Sequence, residues 1–89
     1  MPNVLVQHML DNMYREHTKH PKRSLRVIVE HHLEGKDPHV LLREIEGSSD
    51  FKFRLLSSAH KNTTRGWMTE IVTSYFIVRL ERLVERDGH

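Results

Sequence analysis

The chain has 89 residues, no cysteine and a formal net charge of +2 at pH 7 with histidine counted as neutral. A chain of this length makes one domain that buries about 60 to 65% of its unfolded surface, so we expect modest stability and a benefit from a partner subunit. Hydrophobic residues make up 37% of the chain, with three Phe, two Tyr and one Trp, which suits a helical bundle and argues against a large enclosed active-site cavity. The lack of cysteine excludes disulfides, thiolate chemistry and cysteine-based zinc sites.

Nothing in the sequence indicates a membrane segment or a secretory leader. No apolar run approaches the ~20 residues that cross a bilayer. The first ten residues, MPNVLVQHML, lack a basic leader and a small-residue cleavage site. We therefore expect a soluble, cytoplasmic protein.

Two helices are predicted in the first part of the chain, where apolar residues recur at the three-and-four spacing of a buried stripe. The first stripe comprises Val6, Met9, Leu10, Met13 and Tyr14, and the second comprises Leu25, Ile28, Val29 and Leu33. Asn3 can cap the first helix, which we place at 4–18. Pro21 suits the first turn of the second helix, and Gly35 suits its C-terminal stop. The β-branched run 27–29 leaves a short strand as the alternative there.

Asp37 followed by Pro38 is the clearest local signal in the chain. An aspartate accepts the free amide hydrogens of a helix's first turn, and proline fits the position where no amide hydrogen is needed. A third helix is therefore predicted to begin at this pair and to end at Gly47. Its predicted buried residues are Leu41, Leu42 and Ile45.

The next segment is ambiguous, because residues 51–55, FKFRL, alternate with the period of a strand. We favour a helix, since apolar residues continue at helical spacing through Ala59 and a lone strand would lack a partner. Residues 62–66 have turn composition and precede a final helix. The chain 1–89 is thus predicted to be a single all-α domain, a compact bundle of about five helices with a long C-terminal helix.

The last predicted helix carries two apolar faces. At about 100° per residue, one face comprises Trp67, Met68, Ile71, Val72, Tyr75 and Val78. The other, roughly 150° away, comprises Phe76, Ile77, Leu80, Leu83 and Val84. We assign Trp67, Met68, Ile71, Val72 and Tyr75 of the first face to the chain's own core and the second face to an interface. The alternative is a central helix that the other helices of the same chain surround, which also needs apolar residues on all sides.

The charged residues of this helix favour a second copy of the chain as the partner. One edge of the helix carries Arg79, Arg82 and Arg86, and another carries Glu70, Glu81 and Glu85. An antiparallel two-fold pairing would set arginines against glutamates while it buries the apolar face between them. We therefore predict a homodimer.

Charge is distributed in blocks along the chain. Residues 15–26 hold five Lys or Arg against one Glu (+4), residues 27–50 hold six acids against two bases (−4), and residues 51–65 hold four bases and no acid (+4). A surface that neutralises phosphates needs several such cations on one side of the fold. The candidate nucleic-acid contacts are Arg15, Lys19, Lys22, Arg23, Arg26, Lys52, Arg54, Lys61 and Arg65.

A helix-turn-helix is considered for Leu41–Leu56, with Gly47 at the turn. The fit is poor because Glu46 and Ser48 stand near turn positions that normally supply apolar packing. The two phenylalanines of 51–53 alternate with basic residues and would suit base stacking if exposed. We favour a core role for them and do not adopt the motif.

Neither a metal site nor an active site is predicted. Two pairs lie three residues apart on a helix face, namely His17 with His20 and His31 with Glu34, but neither has further ligands at a recognised spacing. Nothing in the sequence orients the neighbouring residues Ser57, Ser58 and His60 for nucleophilic catalysis. We therefore expect no metal, no cofactor and no enzymatic activity.

Two functions are compatible with these patterns. The first is a small, dimeric nucleic-acid-binding or regulatory protein that contacts phosphates through the two basic blocks. The second is a protein-binding adaptor or inhibitor that uses the apolar face of the C-terminal helix and binds no nucleic acid.

Overall fold

The computed structural model describes residues 4–47 and 65–87, which form four α-helices and no strand. Helix α1 spans Val4–Lys19, α2 spans Leu25–Leu33, α3 spans Pro38–Glu46 and α4 spans Arg65–Asp87. The predicted all-α fold with a long C-terminal helix is confirmed, and the β-branched run 27–29 lies inside α2. The fifth predicted helix, at 51–59, lies outside the described residues.

The start of α2 corrects one prediction. Pro21 does not open the helix but stands in a tight turn, which the Arg23 amide closes by donating to the His20 carbonyl over 3.0 Å. A proline's fixed φ suits the second position of such a turn as well as the first turn of a helix. Helix α2 therefore begins four residues later than Pro21, at Leu25, and Ser24 occupies its N-cap position.

A second tight turn ends α2 as predicted. The Lys36 amide donates to the Leu33 carbonyl over 3.1 Å, and the residue at the third position, Gly35, has a φ of 76°. This left-handed conformation is strained for a residue with a side chain and open to glycine.

Helix α3 begins as its sequence predicts. The Asp37 side chain accepts a hydrogen bond from the His39 amide over 2.9 Å, and Pro38 follows as the first helical residue. Leu41 and Ile45 point inward and are buried. The apolar stripe of α3 therefore packs against the rest of the bundle.

Helix α4 is the centre of the bundle, because α1, α2 and α3 all contact it. The core draws buried side chains from every helix. Its members are Val6, Met9, Leu10, Met13, Ile28, Val29, Leu41, Ile45, Ile71, Val72, Phe76 and Leu80. The other three helices pack around one long helix, as in the alternative that the sequence left open.

The predicted division of α4 into a core face and an interface face is wrong for its central residues. Phe76 and Leu80, which we assigned to an interface, are 0% exposed and belong to the chain's own core. Conversely, Trp67, which is predicted to lie in the core, is 51% exposed, and Val78, on the same predicted face, is 46% exposed. The apolar residues on several sides of α4 are explained by three neighbours from the same chain.

The remaining residues of the predicted interface lie at the margin of this core. Ile77 and Leu83 are partly buried and pack against it, and Val84 is also partly buried. None of the described helices is long and apolar enough to span a membrane.

Helices α1 and α4 run in the same direction along their contact. Leu10 and Leu83 line one cleft between the two helices, and four residues further along each helix Tyr14 lies near Asp87. Hydrogen bonding to the Asp87 carboxylate raises the pKa of Tyr14, and burial and the negative charge of Asp87 raise it further. The last turn of α4 thus lies beside α1.

Candidate nucleic-acid interface

A shallow groove of about 360 Å³ opens where α1 ends and the chain turns into α2. Polar and charged side chains from both helices and the turn line it. They are Asn12, Arg15, Glu16, Lys19, His20, Arg23 and His32. Four of the five candidate residues in the first basic block lie at this groove or, in the case of Lys22, in the turn beside it.

Local structure explains how these side chains meet. Arg15 and Lys19 are four residues apart on α1, so they lie on the same side of the helix one turn apart. The turn that follows reverses the chain and places Arg23 back against Glu16 of α1. Lys22 is an exposed residue of that turn.

Glu16 is the acidic residue of the groove, and two basic side chains hold it. Its carboxylate accepts a hydrogen bond from the Arg23 guanidinium over 2.9 Å and lies 2.9 Å from His32 Nε2. Partial burial works against the charged carboxylate, but the bonds from Arg23 and His32 outweigh it and lower the pKa of Glu16. The carboxylate therefore stays ionised at neutral pH and is partnered inside the protein.

Three other basic residues in or beside the groove form no ion pair with a described carboxylate. Among the described residues, no carboxylate lies within ion-pairing distance of Arg15, Lys19 or Lys22. All three are exposed. Their charges are available to an anion from solution.

Arg26 is placed differently from the rest of its block. Its guanidinium lies 3.0 Å from a carboxylate oxygen of Glu70 on α4 and 4.0 Å from Glu30 on α2. Arg26 therefore links α2 to α4, although both sides of each pair are exposed and such pairs contribute only about 0 to 1 kcal/mol. Its location does not favour a direct role in the groove.

Three of the four candidate residues in the second basic block, Lys52, Arg54 and Lys61, lie outside the described residues. The fourth, Arg65, is described only as the first backbone position of α4. Ser57, Ser58 and His60, which were weighed for catalysis, also lie outside the described residues.

Two groove residues, Asn12 and His32, are not among the residues predicted from the sequence. Asn12 lies one turn before Glu16 on the same side of α1, so helical spacing alone could have predicted its position. His32 reaches Glu16 from sixteen residues away, and only the packing of α2 against α1 brings the two together.

The two pairs of possible metal ligands, His17 with His20 and His31 with Glu34, gain no further ligand from the described residues. In the described ranges 4–47 and 65–87, no three His, Asp or Glu side chains are grouped so that they could hold a metal ion. His31 and His32 contact each other edge to face, with ring centroids 5.7 Å apart.

Comparison with known proteins identifies no relative of this chain. No protein-family model matches it, and neither the curated proteins nor the solved structures contain a significant match.

Proposed function

We propose that this protein binds the phosphate backbone of nucleic acid through the groove at the α1–α2 junction. The observation that supports this proposal most is the contrast between the groove's charges. Arg15, Lys19 and Lys22 are exposed and uncommitted, whereas the acid among them, Glu16, is already held by Arg23.

The charge of the groove suits several phosphate contacts. Arg15, Lys19 and Arg23 in the groove and Lys22 in the turn beside it, against Glu16, give a net charge of +3. Three phosphate contacts would make the affinity for duplex DNA fall about 40-fold between 50 and 200 mM salt, because bound counterions are released with each contact. The proposed binding is therefore moderate in strength and sensitive to salt.

The proposed binding does not depend on base sequence. Lysine and arginine side chains around a shallow, open groove are suited to phosphate oxygens, and phosphate contacts position a protein without reading the bases. We propose no base-reading element among the described helices. Whether the protein prefers DNA or RNA is an outcome of the binding test.

The alternative function, a protein-binding adaptor, loses part of its basis. Its proposed surface on α4 included Phe76 and Leu80, which the chain's own core covers completely. The predicted homodimer used the same surface and now depends on Ile77, Leu83 and Val84, which are partly buried. Dimerisation stays a prediction, and sedimentation analysis across a range of protein concentrations would test it.

The experiment is a binding titration with fluorescently labelled duplex DNA and single-stranded RNA at low salt. The variants are Lys19→Gln, Lys22→Gln and the double substitution, and the matched control is Lys36→Gln, an exposed lysine outside the groove. We expect binding to weaken stepwise in the groove variants and to stay unchanged in the control. Absence of binding to both probes at low salt, or equal losses in the control, would contradict the proposal.

A further inference from the structure

A second cleft, of about 350 Å³, lies between α1 and α4 on another side of the molecule. It is lined by Gln7 and Leu10 from α1 and by Arg79, Arg82, Leu83 and Arg86 from α4. The described residues that line it include three arginines and no carboxylate. This composition differs from that of the first groove, in which Glu16 is central.

The three arginines form a row along one side of α4. They stand at positions i, i+3 and i+7, so their guanidinium groups emerge along about 10 Å of helix. Like charges at such spacing repel each other and destabilise the helix. An anion bound between them would remove this repulsion and stabilise the folded state.

Contacts within the protein use only part of this charge. Arg79 lies over the ring of Tyr75, with 6.0 Å from its guanidinium carbon to the ring centroid. The Nε of Arg86 is 3.8 Å from the Asp87 carboxylate, which also raises the pKa of Tyr14. For Arg82, at the middle of the row, no ion pair is found within the described part of the chain.

The remainder of the cleft sets the character of its ligand. Leu10 is buried and Leu83 is partly buried, so the cleft has an apolar wall beside the charges. The side-chain amide N–H of Gln7 donates a hydrogen bond to the Asp11 carboxylate over 3.1 Å. The row of guanidinium groups supplies only donors, and these form bidentate bonds with phosphate oxygens more readily than lysine does.

We propose that this cleft binds a small ligand through a diphosphate group held by Arg79, Arg82 and Arg86. Three fixed positive charges match a group that carries two or three negative charges better than they match a single carboxylate. The volume of the cleft lies at the lower end of the range for small-molecule sites. Arg82 is the central contact, because it stands between the other two and, among the described residues, has neither an ion pair nor a ring contact.

The cleft is separate from the proposed nucleic-acid groove. At about 100° per residue, Gln7 and Leu10 lie on a different flank of α1 from Asn12 and Glu16. Asp11 lies near the flank of Gln7 and Leu10, so its negative charge is close to the cleft and away from Glu16. A loss of binding in one site is therefore expected to leave the other unchanged.

The test is calorimetric titration of the full chain with inorganic pyrophosphate, with sodium chloride of matched ionic strength in the reference. Arg82→Gln should weaken binding about tenfold or more, since it removes a charged hydrogen-bonding partner worth about one power of ten. Arg82→Lys should lose part of the affinity, because the charge stays while the bidentate fork is lost. Arg43→Gln, an exposed arginine on α3, is the matched control and should bind as the wild type does.

Two of the variants already named separate this inference from the proposed function. The Lys19→Gln/Lys22→Gln double variant should retain pyrophosphate binding, whereas Arg82→Gln should retain binding to nucleic acid. Circular dichroism confirms that each variant is helical before titration. Failure of wild-type protein to bind pyrophosphate above the salt reference, or equal affinity of Arg82→Gln and Arg43→Gln, would overturn the inference.

Discussion

The Glu16 carboxylate and the Arg23 guanidinium, 2.9 Å apart, join the last turns of α1 to the turn that leads into α2. His32 of α2 contacts the other carboxylate oxygen at 2.9 Å. One side chain thus ties together the helix, the turn and the next helix. This arrangement fixes the shape of the groove while leaving Arg15 and Lys19 free of carboxylate partners within the described chain.

The Glu16 pair predicts a pH-dependent contribution to stability. Because the folded state lowers the pKa of Glu16, the unfolded chain takes up its proton first as the pH falls. The contribution is therefore complete above the unfolded value of about 4.3 and disappears as the pH falls through the lower folded value. Glu16→Gln should cost about 1 kcal/mol at pH 7 and less in strong acid.

Urea unfolding at neutral and strongly acidic pH measures this difference. Glu34→Gln is the matched control, because Glu34 is exposed and has no ion pair with another described residue. An equal cost of Glu16→Gln at both pH values would show that the pair makes no ionic contribution.

Tyr14 should lose its proton at higher pH than a free tyrosine, because the nearby Asp87 carboxylate raises the pKa of its hydroxyl. A pKa raised in the folded state means that the contribution to stability is complete below the unfolded value of about 10 and is lost as the pH rises through the folded value. In a Tyr75→Phe background, ultraviolet titration reports on Tyr14 alone. Asp87→Ala should lower the pKa of Tyr14, whereas Glu85→Ala, which removes a nearby exposed charge, should change it less. An identical titration in both variants would show that Asp87 does not raise the pKa of Tyr14.

The central position of α4 predicts large costs for truncation of its buried side chains. Phe76→Ala should destabilise the protein by about 3 to 5 kcal/mol and Leu80→Ala by about 2 to 5 kcal/mol, because each leaves a cavity in the core. Val78→Ala is the matched control on the exposed side and should cost about 0.5 kcal/mol or less. Chemical unfolding provides the comparison. A stable, folded monomer of Leu80→Asp would instead support the interface that the sequence predicted.

The cap of α3 predicts a smaller and more local effect. Asp37→Ala removes the acceptor of the His39 amide and should cost about 1 kcal/mol. Asp37→Asn keeps an acceptor at the same position and should cost less. If both substitutions destabilise the protein equally in thermal unfolding, the cap bond is not the cause.

The parts of the fold that depend on residues close together in the sequence could be predicted from it. Asp37 and Pro38 start α3 because capping involves only the first turn, and the prediction is confirmed. The prediction that Pro21 begins α2 is wrong because the φ angle of proline suits both the first turn of a helix and the second position of a tight turn. The buried side of α4 depends on where three other helices pack, so periodicity alone could not assign Phe76 to the core.

In the candidate site, too, features that depend on residues close in sequence could be predicted, and features that depend on packing could not. The positive block around Arg15 and Lys19 is visible in the sequence as a cluster of charge. The pairing of Arg26 with Glu70 joins residues 44 positions apart, and no local pattern indicates it. Sequence could therefore predict which residues are basic but not which of them remain available to a ligand.

The salt dependence of nucleic-acid affinity tests the central proposal most directly. For a short duplex, the logarithm of the association constant of wild-type protein should fall against the logarithm of salt concentration with a slope of about −2.7, as expected for three phosphate contacts. The triple variant Arg15→Gln/Lys19→Gln/Lys22→Gln should bring the slope close to zero, whereas a variant with Lys36→Gln and Arg43→Gln should leave it unchanged. A slope that is the same in the wild type and the triple variant would contradict the account.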